Sequence, residues 1–301
     1  MFCMPYVIIS DKYGQNYSHI MFPGFLIGFR ETLEAALIVG IVVGYLRHTN
    51  RGASIPSVWR AVGLAVIASA GGAWLFASFL GGFEGAKEEW FEGVLMLTGA
   101  ALITSAVLNL IHHFRSRREV ELKVESTLTC AGITGLSVLV FLSVLREGVE
   151  SVLFLSAANM VVPDEHRVGA LFGIAGALLI GWALFRGLIR LNLKYFFTVT
   201  SLLLVFFAAG LTAHGIHELQ EAGALPVLTR EAWNINPTLR PDGTYPLMHD
   251  NGMVGSVLNG VFGYNGNPSY AEVIAYAGYL IALSFVWRRV LPSRARASEA
   301  V

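Results

Sequence analysis

Two copies of one charged pattern, each inside a long apolar run, constrain this chain more than any other feature. Arg30-Glu31-Thr32-Leu33-Glu34 lies in FPGFLIGFRETLEAALIVGIVVGYL, and Arg146-Glu147-Gly148-Val149-Glu150 lies in LTCAGITGLSVLVFLSVLREGVESVLFLSAANMVV. Both runs are long enough to cross a bilayer, and both carry three charges that hydrocarbon rejects. Each such charge costs about 2.5–3.5 kcal/mol at mid-membrane, whereas a Leu, Ile or Phe returns only about 0.3–0.6. The charges therefore need partners, water or a bound ion.

The rest of the composition agrees with a membrane setting. Only 14% of the 301 residues are charged and 54% are hydrophobic, against about 25% charged in an ordinary soluble domain. The 32 glycines suit helices that pack closely in lipid. Cys3 and Cys130 are the only cysteines, and the topology below puts them on opposite sides of the membrane. That excludes a disulfide framework and argues against a thiolate metal site. Residues 1–20 lack the basic start and sufficient apolar core of a cleavable signal, and Met21 is an alternative start to Met1.

Apolar stretches place membrane helices near 22–46, 58–80, 90–111, 128–160, 168–190, 195–217 and 269–290. The fold class expected is an all-α integral membrane protein with seven spans. The fourth apolar run has no sharp limits, and only RLNLK separates the fifth helix from the sixth. Fourteen of the 21 basic residues fall in one set of connecting segments and five in the other, with Arg30 and Arg146 in the membrane. The positive-inside rule then puts the N-terminus outside and the C-terminus in the cytoplasm.

Three helices separate the two motif-bearing spans, so the motifs run in opposite directions. Counted from the outer face, each pair of glutamates lies some nine to fourteen residues in, at the same depth. This organisation predicts two inverted three-helix repeats, 22–111 and 128–217, with a site at their junction. An N-terminal extension covers 1–21 and an outer loop 218–268, which holds an amphipathic piece near GSVLNGVFGY. A seventh helix over 269–290 and a cytoplasmic tail over 291–301 complete the chain.

On a helix, Arg30, Glu31 and Glu34 share one face, and so do Arg146, Glu147 and Glu150. Arg30 and Glu34 stand four apart and can pair, as can Arg146 and Glu150; Glu31 and Glu147 then lack a partner three or four residues away. Ion pairs that merely fix helix register are the simplest alternative. They leave carboxylates uncompensated in both motifs, which is costly in lipid. Four carboxylates and two guanidinium groups carry a net charge of −2, which a multivalent cation offsets. All-oxygen ligation favours a hard metal over soft ones.

These motifs, together with FEG at 91–93, IRLNLKYFF, FFAAGLTAHGIHE and VFGYNGNPSYAEV, resemble the oxidase-dependent iron transporters, the high-affinity iron permeases, and within them the bacterial Efe-type branch. The resemblance runs from Met21 to about residue 290. It implies iron uptake across the cytoplasmic or plasma membrane, with Glu31, Glu34, Glu147 and Glu150 as iron ligands and Arg30 and Arg146 as the motif arginines. It also implies an outer-side oxidase or peroxidase-type partner and no permanently bound cofactor; iron, ferric or ferrous, is the cargo. Thr32 departs from the family's usual Gly, which Gly148 keeps.

Other polar residues are secondary candidates. Glu84, Glu88, Glu89 and Glu92 gather at the outer end of the third helix, and His214, His217 and Glu218 at that of the sixth. Glu92, Glu89, His217 and Glu218 are candidates for an approach path, against the plainer readings of a solvated acidic loop and an interfacial polar cap. His112 and His113 read as cytoplasmic anchoring, and Asn109, Asn159 and Asn192 as caps or interface contacts. Two other functions compete with transport of iron. A membrane di-iron carboxylate enzyme wants Glu-x-x-His, which neither motif has; a cationic amino-acid carrier could use a similar inverted repeat. No Walker A sequence points to ATP hydrolysis.

Overall fold

The computed structural model describes residues 22–80, 85–112, 117–161, 166–188, 192–226, 231–238, 245–250 and 252–290. The N-terminal extension with Cys3 and both alternative starts, the tail over 291–301, Glu84 and His113 lie outside the described residues. Among those described, the chain is all-helical apart from turns, one short 3-10 stretch and a single bridge between Glu231 and Ser269.

Seven helices are long: α1 (Phe22–His48), α2 (Ile55–Leu80), α3 (Ala86–His112), α4 (Arg117–Val161), α5 (His166–Phe185), α6 (Leu193–Glu221) and α8 (Tyr270–Val290). Between the last two, α7 (Met253–Phe262) forms on the amphipathic piece expected in the outer loop. Six of the long helices are long and apolar enough to cross a membrane. The seventh, α1, has 27 residues and carries Arg30, Glu31 and Glu34 inside its apolar run. The break between α5 and α6 falls where RLNLK stands, and Asn192 caps α6 by accepting from the Tyr195 amide at 3.2 Å.

The fourth helix differs from the expected span. It extends back to Arg117, giving 45 residues. At about 1.5 Å per residue that is far longer than the ~30 Å hydrocarbon core. The excess is turned aside at Gly132, whose φ of 62° and ψ of −154° lie outside helical space in a region essentially open only to glycine. The stretch before it packs Val124 and Leu128 against the ends of α1 and α2.

Packing follows small residues. The most extensive contact is α1 on α5, followed by α3 on α6, α2 on α4, α1 on α4 and α6 on α8. At the α1–α5 crossing a methyl on Gly173 would sit 2.3 Å from the Phe25 carbonyl oxygen, and one on Gly28 2.7 Å from that of Ala170. Backbone meets backbone there, as in close helix pairs within lipid. The outer faces of α2 and α5 expose Leu64, Ile67, Trp74 and Leu75, and Leu171, Phe172, Leu178 and Leu179. That is the inverse of a soluble surface, and it suits hydrocarbon.

Three apolar clusters fill the interior. One joins Ile27 to Met96, Ile103, Phe154 and Leu204; a second joins Val39, Val42 and Leu46 to Val58, Leu136 and Val140; a third joins Phe29 and Leu33 to Ala177 and Phe197. Along α1 the motif overlaps the third cluster at Leu33, and along α4 it falls between Val144 of the second cluster and Phe154 of the first.

Candidate metal centre

The α1–α4 contact brings the two motifs together. One carboxylate oxygen from each of Glu31, Glu147 and Glu150 lies within 4.8 Å of the others. Both helices thus contribute to one cluster, in which Glu31 and Glu147 are buried and Glu150 is partly exposed. Glu34 is tied to the group through Arg30, whose Nη2 lies 3.0 Å from its Oε1.

The ion pairs differ from helical expectation in one respect. Arg30 reaches Glu34 four residues on, and its Nη1 also pairs with Glu31, the adjacent residue. The planar guanidinium fork makes this possible, since its donors diverge enough to serve two carboxylates at once. In the second motif Arg146 donates through Nε to Glu150 at 2.7 Å. Arg30 is 1% exposed, while 53% of the Arg146 side chain is open.

Pairing does not satisfy the cluster. Glu31 Oε2, Glu147 Oε2 and Arg30 Nε are buried and lack hydrogen-bond partners. Orphaned buried carboxylate oxygens are expensive in a medium without water, and they converge from two helices on one small volume. A hard cation with oxygen ligands would satisfy them and offset their charge together.

Gly148 carries the contact that holds the second motif. A methyl there would come within 2.0 Å of Ser69 Oγ on α2. Sequence reasoning did not single out Ser69; it is one of many small residues on α2, and nothing in its spacing distinguishes it. On α5 the glycines lie opposite the first motif's helix instead, with Gly176 against the Phe29 ring and Gly181 against Ala36. Helix α1, which has Thr32 in its motif, is thus matched by small residues on its partner.

The secondary candidates sit around the α3–α6 contact, where Gly93 faces Gly215 and Leu219. There Glu218 comes within electrostatic range of Glu92 and Glu89. His217 has a structural partner: Nδ1 lies 2.9 Å from Glu272 on α8 and Nε2 lies 3.3 Å from Glu221. Glu272, 4% exposed, also accepts from Asn265 at 2.7 Å, and its amide donates to Ser269 Oγ at 3.2 Å. This polar knot ties α6 to α8 and the loop before it. His214 donates from Nδ1 to the Gly210 carbonyl. Glu272 was missed from the sequence, although Ser269-Tyr270-Ala271-Glu272 has the S-x-x-E form of a helix start.

Residues 21–294 match the iron permease FTR1 family. The chain is 34% identical over 285 residues to the ferrous iron permease EfeU of Yersinia pestis, covering 93% of this chain and 97% of the relative. It is 37% identical over 282 residues to EfeU of Escherichia coli O6:K15:H31, covering 92% and 98%, and 36% identical over 282 residues to that of Shigella sonnei. No solved structure matches. With apolar helices for a multi-pass membrane protein and a family match over nearly its whole length, the chain belongs to the iron permease FTR1 family, and is a transporter rather than an enzyme.

Proposed function

We propose that this chain imports iron across the cytoplasmic or plasma membrane, and that Glu31, Glu34, Glu147 and Glu150 bind the ion on its way. The observation that carries this reading is the convergence of three carboxylates from α1 and α4 within 4.8 Å, two of them with buried, unpartnered oxygens. Arg30 and Arg146 temper the negative charge, so that the cluster is neither neutral without its ion nor saturated with cations.

The halves 22–111 and 128–217 act as inverted repeats, with the N-terminus outside. Exchanging α1 with α4, α2 with α5 and α3 with α6 turns the α1–α5 contact into the α4–α2 contact, and leaves α1–α4 and α3–α6 unchanged. That pattern supports a pseudo-two-fold through the site. Glu89, Glu92 and Glu218, with His217 beside them, form the outer approach, where the carboxylate charge concentrates cations. An oxidase or peroxidase-type partner on the outer side presents the iron.

Uptake of radio-iron by cells carrying Glu31→Ala or Glu147→Ala tests the proposal. Both variants lose uptake while remaining in the membrane. Normal uptake in both removes the carboxylate path.

A further inference from the structure

The two motifs have the same spacing, yet they hold their arginines in different ways. Arg30 bridges the carboxylate next to it and the one four residues on, with almost no exposed surface. Arg146 has the same two neighbours at the same offsets, Glu147 and Glu150. Among the described residues it makes one ion pair, with Glu150, and leaves half of its side chain open. Glu147 Oε2 meanwhile stays buried and unpartnered.

The first motif therefore demonstrates, within the same chain, a conformer that the second has not taken up. A helical R-E-x-x-E segment can carry its arginine across both of its carboxylates. Arg146 reaches that arrangement by rotating its side-chain torsions, without movement of α4, and exposed side chains change rotamer in picoseconds to nanoseconds. Nothing comparable is open to Arg30, which is 1% exposed and already spans both of its carboxylates.

We infer, resting on the iron-site reading above, that Arg146 is a tethered cation that competes with iron for Glu147 and Glu150. These are two of the three carboxylates in the cluster. With iron bound the guanidinium keeps the position it holds in this structure, on Glu150 alone; when it swings across, it takes Glu147 as well and drives release. The arginine restores charge balance as the ion departs, so the emptied site does not trap the next state. The role requires a fork that can serve two carboxylates at once, which a lysine ammonium, as a point charge, does not supply.

The test uses the purified full-length chain, with radio-iron binding at equilibrium and release after dilution as readouts. Wild type, Arg146→Lys, Arg146→Gln and Glu147→Ala are compared. The inference predicts that Arg146→Lys and Arg146→Gln both bind iron at least tenfold more tightly and release it at least tenfold more slowly. A lysine variant indistinguishable from wild type shows that charge alone suffices and overturns the switch, as does weaker binding in both variants. Unchanged binding in Glu147→Ala overturns the underlying site reading instead. Wild-type protein supplies a measurement free of any folding defect: phenylglyoxal modification at Arg146, read by peptide mass spectrometry, rises on iron loading. No rise, or a fall, overturns the inference.

Discussion

Replacing each motif arginine by glutamine should have very unequal effects on stability, although the sequence makes the two equivalent. Arg30 is 1% exposed and is the counter-ion of both Glu31, itself 1% exposed, and Glu34. Removing one member of a buried pair costs about 3–5 kcal/mol, because the remaining charge is stranded. Arg146 is half exposed and among the described residues has one ion-pair partner, Glu150, so its removal strands one carboxylate instead of two. At roughly 2–4 °C per kcal/mol, Arg30→Gln lowers the midpoint by about 6–20 °C and Arg146→Gln by a smaller amount. Thermal unfolding of iron-free protein in detergent, followed by circular dichroism, measures both. The double variant Arg30→Gln with Glu31→Gln should recover part of the loss, since it removes a stranded charge with its partner. Equal shifts for the two single variants, or a larger one for Arg146→Gln, would refute the reasoning.

Two glycines on opposite sides of the packing divide should also behave oppositely or nearly so. Gly173→Ala drives a methyl into the Phe25 carbonyl and Phe29 amide, backbone atoms that cannot rotate away, and parts α1 from α5 at about 1–3 kcal/mol by thermal unfolding. Gly44→Ala meets open space inside a helix and is neutral or stabilising by about 0.5–1 kcal/mol in the same assay. His217→Ala removes the charged partner of the buried Glu272 carboxylate and leaves it with Asn265 and Ser269, at a cost of about 1–3 kcal/mol, and loosens α8 from α6. Hydrogen exchange at the start of α8 reports this as faster exchange, while the α1–α4 contact keeps its protection.

Much of this structure was legible in the sequence for simple reasons. In lipid every backbone group must be satisfied within its own segment, so a long apolar run leaves almost no choice but a helix. The sequence led to the expectation that Glu31 meets Glu147 and Glu150 from antiparallel runs of similar depth, and one carboxylate oxygen of each does lie within 4.8 Å of the others. The amphipathic piece near 255–264 formed because its apolar face could cover α6, where Phe262 lies against Phe206. Gly132 was not legible as a break, because glycine is common inside membrane helices and only its backbone angles distinguish it. Nor was the inequality of the arginines, since identical spacing gives identical helical geometry. Burial decides between them, and it is set by tertiary packing that the spacing of the motif does not encode. The knot at Glu272 joins residues from distant parts of the chain, so no local pattern could pair it with His217.

The central claim is that both helices contribute to a single iron site. Equilibrium binding of radio-iron to purified protein, with stoichiometry determined for wild type, Glu31→Ala and Glu147→Ala, addresses it most directly. A shared site gives one tightly held ion per chain in the wild type and essentially none in either variant. Two ions per chain, reduced to one by each substitution separately, would mean that each motif binds on its own and would contradict a site shared between α1 and α4.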